Sequence, residues 1–205
     1  MRKRILTLTI ALVIALSVAS MSSCSGKAPE LDNVKDRFVY LIEGSKELNV
    51  LFFGSGLPVY ERESLLAERR GVYYNDRMTS YNHVMENARY ISIEDMKYQA
   101  ERIYSSEYVA GIYESAFDGI MTGTAQAYLR FYDNGEWLYQ NVNAMDFELS
   151  ERIYDYSTMK IVKPSNAEYV NVEIESYTLK DSKRKVISLS FVYENGNWYL
   201  DSPTY

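Results

Sequence analysis

The side chains that most often carry catalysis are scarce in this chain. His83 is the one histidine and Cys24 the one cysteine among 205 residues. Imidazole titrates near neutral pH, so His83, within Tyr81-Asn82-His83-Val84, is the candidate general base. One cysteine excludes an intramolecular disulfide, and one histidine excludes a zinc site built from several His and Cys ligands. Serines and acids abound, but no Gly-x-Ser-x-Gly elbow presents a nucleophile. Gly54-Ser55-Gly56 follows a helical pattern, whereas phosphate loops follow a strand, so it reads as helix termination. No Asp-x-Asp-x-Asp-Gly loop is present, and Glu94, Asp95, Glu173 and Glu175 read as solvated faces. The sequence calls for no metal and no cofactor.

Tyrosine is the compositional oddity, with 20 residues, none before Tyr40. Its rigid ring and polar tip suit sugar and peptide recognition. Tyr73, Tyr74, Tyr81 and His83 form the candidate ligand surface. Tyr104, Tyr108 and Ile112, with Tyr113 and Phe117, keep helical spacing and read as core. The expectation for His83 is packing among Tyr73, Tyr74 or Tyr81, on a connection that precedes a helix beginning at Ser92.

Charge narrows the partners. The chain has 22 basic and 28 acidic residues, and residues 1–23 hold Arg2, Lys3 and Arg4 with no acid. The remainder carries 19 basic against 28 acidic residues, or −9. A domain this acidic does not seek nucleic-acid phosphates. Lys183-Arg184-Lys185 is a local exception that reads as a solvated hairpin tip.

The N-terminus has its own logic. The basic start is followed by an apolar run from Ile5 to Ala19 and then by small residues. That order is a secretory signal, and the run is shorter than the ~20 residues of a comfortable membrane span. Met21-Ser22-Ser23-Cys24 resembles the lipobox of bacterial lipoproteins, with Met21 where leucine is commoner. The resemblance implies cleavage before Cys24 and acylation of its thiol, which removes the thiol from catalysis. Two or more acyl chains, at ~0.8 kcal/mol per buried CH₂, make a stable anchor. The organisation expected is therefore a signal over 1–23, a tether over 24–30 and one domain over 31–205. Ser25 to Glu30 is polar with Gly and Pro, so it reads as a tether of at most ~20 Å.

Elements must position these groups. From Leu31 to Phe53, Val34, Phe38, Leu41, Ile42, Leu48, Leu51 and Phe52 recur at helical spacing, and Gly44 permits a break into two helices. Glu61 to Arg70 reads as a short charged helix, and Gly71 to Ile91 as one or two short strands. Ser92 and Ser105 cap helices near 93–104 and 106–118, the second ending at Gly119. The period then switches to two, with Ala125, Ala127, Leu129 and Phe131 on one face and Gln126, Tyr128, Arg130 and Tyr132 on the other. Antiparallel strands are expected through 124–201, turning at Asn134-Gly135 and Asn195-Gly196. The two stretches around these turns, each followed by a tryptophan, read as one hairpin chemistry used twice.

The fold class is α+β, N-terminal helices packed on a curved antiparallel C-terminal sheet. This order, closing on Glu194-Asn195-Gly196-Asn197-Trp198-Tyr199-Leu200, resembles the nuclear-transport-factor-two-like, ketosteroid-isomerase-like superfamily. The resemblance implies a cone in which a bent sheet wraps a long helix. That fold hosts enzymes and inert binders alike, and no motif here maps the enzymes' carboxylate base or acid donor. The reading is a non-catalytic, lipid-anchored domain outside the cytoplasm of a bacterium, in its cell membrane or envelope. Its partners are the membrane, through the anchor, and an envelope protein, glycan or small-molecule ligand. The alternatives are acid–base catalysis on a small molecule in the cone cavity, and an inhibitor or assembly factor for envelope proteins.

Overall fold

The apolar stripe from Val34 to Phe52 forms one unbroken helix, α1 (Leu31–Phe53), with each of its named apolar residues buried. The computed structural model describes residues 26–60, 81–118, 121–122, 125–126, 129–141 and 149–205. Gly44 does not break α1. A side chain there would come within 2.5 Å of Ile103 Cδ1, so glycine is what lets a second helix cross closely. Gly54 ends α1, its N–H donating to the Asn49 and Val50 carbonyls at 3.1 Å.

That second helix, α2 (Ile93–Ile103), starts as its sequence requires. Ser92 Oγ accepts from the Asp95 N–H at 3.1 Å, with Glu94 and Asp95 in the first turn. α3 (Ser106–Tyr113) is capped by Ser105 Oγ, which accepts from the Tyr108 N–H at 3.1 Å. It continues as a π turn over Glu114–Asp118 instead of the α-helix expected to 118. Gly119 and the expected helix over Glu61–Arg70 lie outside the described residues.

The strands are β1 (Tyr81–His83), β2 (Met121–Thr122), β3 (Ala125–Gln126), β4 (Phe131–Asp133), β5 (Leu138–Asn141), β6 (Arg152–Val162), β7 (Tyr169–Thr178), β8 (Lys185–Glu194) and β9 (Asn197–Leu200). A single meander through 124–201 was the expectation. Among the described residues the strands instead make three antiparallel sheets, ordered β1-β5-β4, β2-β3 and β6-β7-β8-β9. One departure from the alternation lies at Arg130. The alternation placed it on the wet face, yet it is buried, its Nε donating to the Leu51 carbonyl at 2.8 Å and its Nη2 to Gly54 O. A guanidinium drawn to the last carbonyls of α1 pins the chain just before β4.

The four-stranded sheet follows its period. Val170, Val172, Ile174, Leu189 and Phe191 are buried in the core that α1 also lines. Phe38 of α1 stacks on Phe191 with centroids 3.9 Å apart, and Trp198 meets Phe38 edge-on at 5.6 Å. Burying side chains of this size stabilises by ~1.5–3 kcal/mol each. Between Asp155 and Lys160 the β6–β7 register shifts, a bulge that bends the strand.

The two Asn-Gly turns are not one chemistry. Asn195 and Gly196 both have positive φ, 50° and 84°, as a two-residue hairpin requires. In the other turn only Gly135 is positive, and Asn134 Oδ1 accepts from the Glu136 and Trp137 N–H groups at 3.0 and 2.8 Å. The basic stretch is exposed on the β7–β8 connection, as expected. Arg184 bridges Asp155 at 2.9 Å and Glu175 at 3.3 Å, tying β6 to β7 from outside.

Candidate functional site

β1 and β5 carry the site because of where α1 ends. Gln140 of β5 clamps the turn after the helix, Oε1 accepting from the Leu57 N–H at 2.6 Å and Nε2 donating to Ser55 O at 2.9 Å. Gly56 has φ 77°, and a side chain there would collide with the Gln140 amide. The chain then returns along β1, where the Tyr60 N–H donates to the His83 carbonyl at 2.9 Å. Gln140 and Asn82 are cross-strand partners and share one face of this small sheet.

The other face is aromatic. Register sets His83 opposite Tyr139, and Tyr139 opposite Tyr132. His83 lies at the centre, 4 % exposed. Its ring meets Trp137 edge-on at 4.4 Å, Tyr60 at 5.4 Å and Tyr139 at 5.7 Å. Tyr132 extends the row from Tyr139 at 6.2 Å, and Tyr81 meets Tyr132 at 6.4 Å. The five rings around His83 are half-buried. Polar groups are placed among them: the Tyr60 hydroxyl donates to the Glu86 carboxylate, and the Tyr81 hydroxyl to Leu129 O at 2.6 Å.

Of the surface expected from sequence, Tyr81 and His83 come together on one strand face; Tyr73 and Tyr74 lie outside the described residues. His83 is on a strand, not on a connection, and its described ring neighbours are Tyr60, Trp137 and Tyr139. Sequence reasoning missed Tyr60, Tyr132, Trp137 and Tyr139. The signal for three of them was present, since Tyr132, Trp137 and Tyr139 flank the Asn134-Gly135 turn. Nothing local marks Tyr60.

A cavity of about 280 Å³ opens between α1 and β6, lined among others by Lys46, Asn49, Val50, Leu149, Arg152 and Thr204. Beside it runs a one-way hydrogen-bond chain. Tyr104 OH donates to Asn49 Oδ1 at 3.1 Å, and Asn49 Nδ2 to Thr204 Oγ1 at 2.7 Å. Thr204 Oγ1 lies 2.6 Å from Ser45 Oγ, which donates to Ile42 O at 2.7 Å. Every member has a partner, so the chain is structural.

Among the described residues the carboxyls with displaced titrations are held down. Burial pushes Glu43 up, but Lys46 and Tyr156 outweigh it and hold the carboxyl below its ordinary value. Asp155 is lowered by Ser157 and Arg184, and Asp181 by the Lys183 N–H and Lys185. Burial raises Tyr90 to about 12 and Tyr104 well above its ordinary value, keeping both phenols protonated as donors.

Carboxylates read as solvated faces have cationic neighbours, Glu173 with Lys160 at 2.8 Å and Glu175 with Arg184. Among the described residues no group of three or more His, Cys, Asp or Glu could hold a metal ion. No helix among them is long and apolar enough to cross a membrane. No family model matches the chain, and no curated protein is significantly similar to it.

Proposed function

We propose that this protein is a lipid-anchored, extracytoplasmic binding domain that holds an envelope glycan against the aromatic face of β1, β5 and β4. The observation that carries the reading is the ring cluster centred on His83, five half-buried aromatics on one sheet face. Sugar rings stack their C–H faces on such side chains, while phenol tips and the Glu86 carboxylate offer hydrogen bonds to hydroxyls. Supporting the address are the signal pattern over residues 1–23 and the resemblance of Met21-Ser22-Ser23-Cys24 to a lipobox. A long helix packed against an antiparallel sheet is also the arrangement of the cone superfamily, whose members include non-catalytic binders.

A photoreactive phenylalanine analogue at Tyr132 tests the reading in intact bacteria. Cross-linking to cell-wall glycan from Tyr132, and not from Tyr98 on the exposed surface of α2, is the expected result. Equal yields at both positions, or none to glycan, would remove the basis for the proposal.

A further inference from the structure

The segment that follows Cys24 is fastened to the fold, not suspended from it. The Ala167 N–H donates to the Gly26 carbonyl at 2.9 Å, and a side chain at Gly26 would meet Ala167 Cβ at 3.0 Å. Ala28 and Pro29 are half-buried before α1 begins. Cys24 stands two residues before Gly26, and two residues span at most ~7 Å. Gly26 is held beside the connection between β6 and β7, so the two-residue chain length from Cys24 bounds how far an acyl anchor can stand from it.

The β8–β9 turn lies at this same end, because the Tyr193 N–H donates to Glu168 O at 2.8 Å. The two tips, 164–167 and 195–197, contain no charged residue. Nearby Glu30 pairs with Lys27 at 2.8 Å, and the Glu194 carboxylate accepts from the Ser106 N–H and hydroxyl at 3.1 and 3.0 Å. Exposed Lys163 and Glu168 flank the first tip and Asp32 stands in the first turn of α1, so this end carries charges of both signs.

The aromatic face is at the other end of α1. Arg130, one residue before β4, grips the carbonyls of Leu51 and Gly54 where the helix stops. The 23 residues of α1 rise ~1.5 Å each, so its ends are about 34 Å apart.

We infer that α1 is a spacer: the pinned segment seats the neutral tips on lipid headgroups and presents the aromatic face away from the bilayer. This rests on acylation of Cys24. It adds that the domain has one orientation, set by the Gly26–Ala167 hydrogen bond and not by a free tether.

Acylation blocks the native thiol, so an introduced cysteine is the only free one. Glu168→Cys beside the first tip and Glu136→Cys in the β4–β5 turn are each labelled with bimane, in full-length protein reconstituted into phosphatidylcholine–phosphatidylglycerol vesicles. Lipids spin-labelled at the headgroup should quench the Glu168→Cys label several-fold more strongly than the Glu136→Cys label. Inserting about ten Gly/Ser residues between Ser25 and Gly26, a coil of ~17 Å mean span, should collapse that difference. Equal quenching at both positions in acylated protein would overturn the orientation alone, as would a difference that survives the insertion. Protein that stays in the aqueous phase, with a mass lacking the diacylglyceryl group, would overturn the anchor and this inference with it.

Discussion

The imidazole of His83 meets the indole of Trp137 edge to face, centroids 4.4 Å apart and planes at 85°. This geometry aligns the positive edge of one ring with the negative face of the other and is worth ~0.5–1.5 kcal/mol beyond burial. His83→Gln should lower unfolding stability by ~1 kcal/mol, read as a shifted urea midpoint at constant slope. An unchanged midpoint would deny His83 its packing role.

Arg130 is a buried polar side chain whose loss should be costly. It is 7 % exposed, and its guanidinium serves the last carbonyls of α1. Hydrogen bonds from charged groups are worth ~1.5–3 kcal/mol. Arg130→Met keeps the stem and removes the donors, so it should destabilise by ~2–3 kcal/mol in denaturant titration. A change below measurement error would show that the end of α1 is held by Gln140 alone.

Thr204 completes the buried hydroxyl chain, accepting from Asn49 and facing Ser45 Oγ at 2.6 Å. Thr204→Val preserves shape but strands the Asn49 amide, at a cost of ~1–3 kcal/mol. The double variant Ser45→Ala/Thr204→Val should show non-additivity, because the second change then removes a partner already lost. Strict additivity would mean the two hydroxyls do not interact.

Alkali should unfold the protein abruptly. Burial raises the Tyr90 phenol to about 12, and it pushes those of Tyr108, Tyr113, Tyr154 and Tyr156 further above the ordinary value of 10. A folded-state pKa above the unfolded one gives stability that is complete below pH 10 and fades as pH rises through about 12. Circular dichroism should hold to about pH 10, then fall together with a steep rise in tyrosinate absorbance. Full tyrosinate absorbance with the fold intact would contradict these burials.

The legible parts of the fold were those written in local pattern. α1 and its end at Gly54, the caps at Ser92 and Ser105, and the alternation of Val170, Val172 and Ile174 all follow from spacing and short-range hydrogen bonds. The burial of Arg130 was not legible, because it depends on the side chain reaching Leu51, 79 positions away. Periodicity says which face a residue shares; it cannot say that a cation on the wet face will be recruited by a helix end. The site divides the same way. Tyr81 and His83 share a face by period two, whereas Tyr60 reaches His83 only because the chain after Gly56 doubles back alongside β1.

Trp137 is the reporter for the glycan-binding face. It is half-buried there, while Trp198 is 8 % exposed against Phe38 and so provides a constant background. Full-length protein in vesicles is titrated with soluble oligosaccharides cut from bacterial cell-wall glycan, following tryptophan emission. A saturable change is expected, absent in Trp137→Phe and lost in Tyr132→Ala/Tyr139→Ala with circular dichroism unchanged. Emission indifferent to millimolar oligosaccharide, or equal affinity in the double variant, would contradict the assignment of this face to binding.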